Sequence, residues 1–333
     1  MKNKITFFDK IIFRITDYLK IPITFNRIWC ASIEIIGKCN LNCRMCGFDG
    51  SRKKGIMSFN LFKKIINELA DLGCPTIALH VYGEPLLHPR LAEFIDYINQ
   101  KKLSIILYTN GTLLNNKIIK LLKNHPVNAL RISFVPYKKI YKNFWSGANY
   151  EIILNNLFKF LEESQTWDFK TNLDLNLLHE HNENINKLKN KAKKIFGVYP
   201  NLRFSFNEMI NLEGSDKKIK YAPLKNKIVP CKHVYTQCAI LFNGDVVPCC
   251  NDLNGKYIMD NIKKQKYSKI RNNKKFISFR KKMLAKSINE LKICRTCPEC
   301  RSNNPSFIED FKKIINRYIK KEDNQNENCN NLP

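Results

Sequence analysis

Between residues 31 and 210 the sequence alternates six times between a short apolar run of strand character and a longer stretch with helical spacing. The strand-like runs cover 33–36, 76–81, 104–109, 129–135, 172–178 and 202–206. Ser58 is placed to cap a helix through Phe62, Ile65, Ile66 and Leu69 that stops at Gly73. Pro89 opens another, through Phe94, Ile95 and Ile98. Further helices are expected near 115–124, after a turn at Asn110-Gly111, and over 149–163 and 183–196. Strands joined by helical crossovers pair in parallel, and a parallel sheet needs helices to cover it. The expected class is α/β, as an open sheet or a partial barrel.

The alternation stops near residue 210. Glu213, Gly214, Ser215 and Asp216, then a lysine-rich run, read as a linker. Residues 237–242 and 245–247 read as a hairpin around Asn243-Gly244, a pair that suits a tight turn. A helix is expected near 273–285 and an amphipathic one over 305–321. The tail beyond is too polar to fold. Ahead of the first strand, Phe8, Ile11, Ile12, Ile15 and Leu19 fall at helical spacing between charges. That helix either packs on the body or lies on a membrane surface. Four segments result: an amphipathic extension over 1–30, the α/β core over 31–212, a cysteine-rich domain over 213–301, and a helix and tail over 302–333.

No stretch approaches the roughly 18 apolar residues that a membrane span requires. Asp9, Lys10, Arg14 and Asp17 interrupt any apolar run at the N-terminus, so no secretory signal is expected and the chain is placed in the cytoplasm. The net charge is +28, from 57 Lys plus Arg against 29 Asp plus Glu. Such a charge attracts nucleic acid, acidic headgroups and anionic substrates. The excess lysines, however, are spread along the whole chain among abundant Asn and Ile. This reads as biased residue usage more than as a binding face, and nucleic acid is not an expected partner.

The 13 cysteines are unevenly placed. A cytoplasmic chain keeps its thiols reduced, so their number argues for metal or redox chemistry over disulfides. Cys30 and Cys74 read as ordinary small buried residues. Cys39, Cys43 and Cys46 form C-x3-C-x2-C just after the first strand, where parallel α/β folds carry their sites. Three thiolates on one loop can hold three irons of a [4Fe–4S] cluster and leave the fourth open to a substrate. The alternative is zinc, which requires a fourth ligand; Asp49 is the local candidate.

This loop, in this place, resembles the signature of the radical S-adenosylmethionine superfamily. The resemblance covers roughly residues 30–210. It implies a partial (β/α)6 TIM-type barrel. It also implies that the open iron binds the amino and carboxylate groups of S-adenosylmethionine. Reductive cleavage then gives methionine and a 5′-deoxyadenosyl radical that takes hydrogen from substrate. Tyr82-Gly83-Glu84-Pro85 is similar to the family's Gly-Gly-Glu-Pro segment near the methionyl amino group, with Tyr82 in place of the first glycine. Gly83 and Glu84 are carried across as cofactor contacts. Thr109-Asn110-Gly111 resembles a Thr-Asn-Gly of many members, which adds Thr109 and Asn110. Ser133 and Asn176, at the fourth and fifth strands, are further candidates, against the plainer reading of satisfied strand-end polar groups. Met45 stands where an aromatic residue is common beside adenine.

The second cysteine group resembles the SPASM, or shortened twitch, extension that carries auxiliary [4Fe–4S] clusters. Cys231 precedes the hairpin, Cys249 and Cys250 follow it, and Cys294 and Cys297 form C-x2-C after the helix. The layout is close to that of an aminoglycoside-type alcohol dehydrogenase of the superfamily. It implies one auxiliary cluster on Cys231, Cys249, Cys294 and Cys297, in a small β-hairpin and helix domain. Cys250 is the alternate for Cys249, since adjacent residues on an extended chain face opposite ways. The competing reading is a zinc knuckle on Cys294, Cys297, Cys300 and one other ligand. His179 and His181 would share one face of a strand, as a metal pair or as a solvated strand end. His80, His88 and His233 are candidate acid–base groups that nothing in the sequence ranks.

Four protein ligands would close the auxiliary cluster, so its implied role is electron acceptance. The favoured reaction is oxidation of a small polar substrate, a sugar or alcohol. Peptide modification is the second reading, weakened by the roughly 30 residues before the first strand, too few for a winged-helix peptide binder. The third is a zinc-stabilised nucleic-acid-binding protein. An external one-electron reductant such as flavodoxin or ferredoxin is implied as partner.

Overall fold

The computed structural model describes residues 28–209, 215–221, 231–285 and 287–300. The expected helices over 7–19 and 305–321, most of the linker and the tail lie outside these residues. Six strands follow one another across a sheet in chain order: β1 (Cys30–Ile33), β2 (Thr76–Leu79), β3 (Ser104–Thr109), β4 (Ala129–Phe134), β5 (Asn172–His179) and β6 (Leu202–Glu208). All five pairings among them are parallel. The helical crossovers are α1 (Phe59–Asp71), α2 (Leu91–Gln100), α3 (Asn116–Asn124), α4 (Lys138–Phe144), α5 (Tyr150–Ser164) and α6 (Ile185–Phe196).

The helices start where the sequence supplies a cap. Ser58 Oγ accepts from the Leu61 N–H at 3.3 Å, and the side chains of Asn115, Asn149 and Asn184 do the same for α3, α5 and α6. These bonds satisfy donors that a helix cannot satisfy itself. Strand alternation then divides the sheet. Leu130, Ile132, Phe134, Leu173, Leu175 and Leu177 are fully buried on the face that the helices cover. The alternate residues Arg131, Ser133, Asp174 and Asn176 are only half-buried on the other face. A parallel strand covered on both sides would be apolar throughout; this one keeps a polar face.

Three details depart from the expected pattern. The first strand ends at Ile33, not Ile36. Ile35 and Ile36 stay buried, but here the chain leaves the ladder, and Ile36 bridges to Ile56 instead. Helix α4 was not anticipated; its lysines mask an apolar pair, Tyr141 and Phe144, one turn apart. The hairpin forms as expected between β7 (Gln237–Ile240) and β8 (Asp245–Val247), which are antiparallel. It does not stand apart, however. β7 pairs in parallel with β1, placing Cys238 beside Ala31. With β9 (Asp260–Asn261) the order becomes β6-β5-β4-β3-β2-β1-β7-β8-β9, one open sheet. Helix α7 (Lys274–Leu284) packs on this extension through Arg280, which is 1% exposed and donates Nε to the Val234 carbonyl at 3.0 Å. No helix among the described residues is long and apolar enough to cross a membrane.

Candidate functional site

The loop carrying Cys39, Cys43 and Cys46 leaves the C-terminal end of β1 and is held from the side by the end of α4. The Asn42 N–H donates to the Ser146 carbonyl at 3.2 Å and the Arg44 N–H to the Phe144 carbonyl at 2.9 Å. Arg44 also pairs with Asp216 at 2.6 Å. The three thiols lie close enough for their charges to repel one another. Burial, reinforced by Cys46 and Cys39, pushes Cys43 up to about 12. Buried thiols of this kind stay protonated until a metal takes the proton's place. Cys39 Sγ already accepts from the Leu41 N–H at 3.4 Å and from Asn110 Nδ2 at 3.8 Å. N–H donors to sulfur are the bonds that tune an iron–sulfur cluster. The donor set therefore fits a cluster with one open iron.

The turn after β2 closes against this loop. Gly83 has φ +97°, and a Cβ there would lie 2.1 Å from the Ile36 carbonyl oxygen. The Glu84 N–H donates to the Lys38 carbonyl at 2.8 Å. Glu84 itself is 1% exposed. One of its oxygens accepts from the Leu86 N–H at 3.0 Å and the other from the Asn110 N–H at 2.7 Å. Burial raises its carboxyl to about 7 against these bonds. Thr109 sits behind it, bonded to Glu84 and accepting from the Gly111 N–H at 3.1 Å. Ser133 and Asn176 are register partners on β4 and β5. Asn176 Oδ1 accepts from Ser205 at 3.3 Å and from Asn207 at 2.6 Å.

A connected row of polar side chains crosses the open face of the sheet. Ser32 Oγ lies 2.8 Å from His80 Nε2. The His80 ring stacks on Tyr108 at 4.2 Å. Arg131 Nη1 donates to the Tyr108 hydroxyl at 3.0 Å, and Nη2 pairs with Asp174 at 3.2 Å. Arg131 Nε and Asp174 Oδ1 have no hydrogen-bond partner among the described residues. Burial, with Arg131 nearby, holds His80 down at about 4, so it is neutral near pH 7. Of the candidate histidines, His80 lies in this row. His88 packs on Phe94 and bonds its own loop, and His233 lies 3.9 Å from Glu299. His179 is buried, while His181 turns to Glu208, so the two share no site.

The second thiol group assembles beside β7 and β8. Cys231, Cys249, Cys294 and Cys297 lie near one another, and Cys300 joins them. Its thiol hydrogen-bonds Cys231, Cys294 and Cys297. From spacing alone Cys300 enters only the zinc alternative, because C-x2-C-x2-C does not say which thiols converge. Cys249 and Cys250 both sense the charge of Cys231 and Cys297. Cys250, however, hydrogen-bonds Ser32, toward the polar face. Asn251 Nδ2 donates to Cys297 Sγ at 3.6 Å. A cavity of about 630 Å³ opens over the first loop, lined by Cys39, Asn40, Phe48, Lys54 and Tyr82 among others.

Comparison with known proteins agrees with this geometry. Residues 33–189 match the radical SAM superfamily and residues 231–298 match SPASM, an iron–sulfur cluster-binding domain. The chain is 26% identical over 272 residues to the S-adenosyl-L-methionine-dependent 2-deoxy-scyllo-inosamine dehydrogenase of Niallia circulans, covering 80% of this chain and 90% of that one. It is 34% identical over 96 residues to the antilisterial bacteriocin subtilosin biosynthesis protein AlbA of Bacillus subtilis, which is 28% of this chain and 21% of that one. Its fold is similar to that of BtrN in complex with AdoMet and 2-DOIA, with a TM-score of 0.55 and 21% identity over 83% of this chain and 93% of that one. It is also similar to Streptococcus suis SuiB bound to precursor peptide SuiA, with a TM-score of 0.62 and 14% identity over 80% and 69%. The two domains imply S-adenosylmethionine and [4Fe–4S] clusters, an auxiliary one included. The chain belongs to the radical S-adenosylmethionine superfamily and carries a C-terminal SPASM-type iron–sulfur domain.

Proposed function

We propose that this enzyme oxidises a small, hydroxyl-bearing substrate by two electrons. The observation that carries the reading is the polar row from Ser32 through His80, Tyr108 and Arg131 to Asp174. A few converging polar groups of this kind fix a polar ligand by its hydroxyls. The likeness to a dehydrogenase along 90% of that protein's length supports the same chemistry. When bound, the cofactors supply the electron that converts S-adenosylmethionine to methionine and a 5′-deoxyadenosyl radical, the radical that takes a substrate hydrogen, and the acceptor for the electron released as the substrate loses its proton.

This chain's residues take the following parts. Cys39, Cys43 and Cys46 hold the first cluster. Cys231, Cys249, Cys294 and Cys297 hold the auxiliary one; Cys249 is preferred because Cys250 turns to Ser32. Gly83 gives the cofactor a close backbone approach. Glu84, braced by Thr109, ties that turn to Asn110, whose amide reaches Cys39. Ser133 and Asn176 border the cofactor end of the polar face. Arg131 anchors substrate oxygens, and neutral His80, bonded to Ser32, orients the hydroxyl that loses its proton. A flavodoxin- or ferredoxin-type carrier serves as reductant.

The test is anaerobic incubation of the reconstituted protein with dithionite, S-adenosylmethionine and 2-deoxy-scyllo-inosamine, then with other cyclitols and aminocyclitols. The reading expects ketone and 5′-deoxyadenosine in equal amounts from at least one of them. 5′-Deoxyadenosine with no ketone from the whole set contradicts it. Turnover of a ribosomal peptide instead would favour peptide modification, which the fold shared with SuiB also allows.

A further inference from the structure

The segment after Cys46 contains an arginine that touches each part of the cofactor site's surround. Arg52 donates Nη1 to Glu34 Oε1 at 2.9 Å and Nη2 to the other carboxylate oxygen. Its Nε donates to the Leu253 carbonyl at 2.6 Å, on the turn that follows Cys249 and Cys250. Glu34 is 1% exposed, and its oxygens also accept from the Tyr82 N–H at 3.2 Å and the Phe242 N–H at 3.4 Å. The guanidinium lies 5.4 Å from the Phe48 ring and 5.7 Å from that of Tyr82, which stack on one another at 3.7 Å.

Phe242, from the turn between β7 and β8, completes the arrangement. Its ring fills the space over two glycines of the first loop. A Cβ on Gly55 would lie 2.2 Å from that ring, and one on Gly37 2.9 Å. Asn254 adds a polar tie, accepting from the Asp49 N–H at 3.0 Å and donating to the Gly47 carbonyl at 2.8 Å. Three regions far apart in the chain meet here: the segment from Glu34 through the cluster loop to Gly55, the Tyr82 turn, and the stretch from the hairpin tip to the 252–254 turn.

We propose that Arg52 is a positioning residue through which the auxiliary domain sets the S-adenosylmethionine site. Docking of Phe242 and of the 252–254 turn holds the Cys39–Cys46 loop and the Tyr82–Glu84 turn in their binding arrangement. Cofactor affinity therefore depends on the auxiliary domain, and by reciprocity bound cofactor tightens that docking. A buried ion pair is a poor device for stability alone, because desolvation offsets its attraction. Its planar, two-pronged geometry is suited to fixing one arrangement of several segments. The inference rests on the reading of the first loop and the Tyr82–Glu84 turn as the cofactor site.

The test compares Arg52→Met, Phe242→Ala and Asn254→Ala in reconstituted protein. Three quantities are read: iron per chain, the S-adenosylmethionine dissociation constant, and amide hydrogen exchange of residues 47–56 and 82–86 without cofactor. The proposal expects full iron, dissociation constants raised about ten-fold for Arg52→Met and Phe242→Ala, and faster exchange in both segments together. Combining the two changes should weaken binding no further than Arg52→Met alone, since both break one device. Arg52→Lys should restore only part of the affinity, having lost the fork. If Arg52→Met does not fold, with Glu34 left unpaired, Asn254→Ala leaves the pair intact and must still speed exchange and weaken binding. Folded, iron-loaded variants with wild-type affinity and exchange overturn the proposal. Wild-type protein that binds no S-adenosylmethionine instead overturns the cofactor reading beneath it.

Discussion

Gly83 has both a left-handed backbone and no room for a side chain. Gly83→Ala adds strain of about 1–3 kcal/mol, and equilibrium dialysis should show S-adenosylmethionine affinity lower by about ten-fold or more. Glu84 gives a pH signature. Burial raises its carboxyl from 4.5 to about 7. Between those values the folded chain keeps a proton that the unfolded chain has lost, so this group's stabilisation is full below 4.5 and is lost as pH rises through about 7. Glu84→Gln should flatten that part of the stability profile in thermal unfolding at stepped pH. Cys249→Ser should remove about half of the bound iron, one cluster of two, and Cys250→Ser should leave the iron content unchanged. The first three cysteines were legible in the sequence because all lie on one loop. Cys300 was not, because its partner Cys231 is distant in the chain, and the His80–Arg131 row was not, because its members come from different strands and only the register brings them together.

At the scale of elements, the strand–helix alternation carried most of the fold, since periodicity and caps are local properties. The ends were less legible where tertiary contacts replaced the ladder. Ile35 and Ile36 read as strand because they are buried, yet their backbone has already turned toward Ile56. The pairing of β7 with β1 was not legible at all, because a hairpin's own turn does not say what its outer edge meets. That pairing puts the auxiliary domain and the cluster loop on adjacent strands. Arg280 secures it from behind, lying 4.7 Å from the Phe276 ring and bonded to the Val234 carbonyl. Arg280→Met should destabilise the protein by about 1–3 kcal/mol through the stranded carbonyl, read as a lower unfolding temperature with both clusters still loaded.

For the whole molecule, one open sheet carries two thiol groups with a polar face beside them. The arrangement assigns a division of labour that double substitution can separate. Cys294→Ala with Cys297→Ala should abolish ketone formation while 5′-deoxyadenosine is still produced, measured by chromatography of the same reactions. Unchanged substrate oxidation would remove the auxiliary cluster from the electron path. The charge of +28 comes from lysines distributed along the whole sequence. The central claim is that the loop of Cys39, Cys43 and Cys46 makes this a radical S-adenosylmethionine enzyme. The most direct measurement is 5′-deoxyadenosine formation by anaerobically reconstituted protein given S-adenosylmethionine and dithionite. The account predicts brown protein with about eight irons per chain and 5′-deoxyadenosine that disappears in Cys43→Ala. Colourless, zinc-loaded protein that leaves S-adenosylmethionine intact would contradict it.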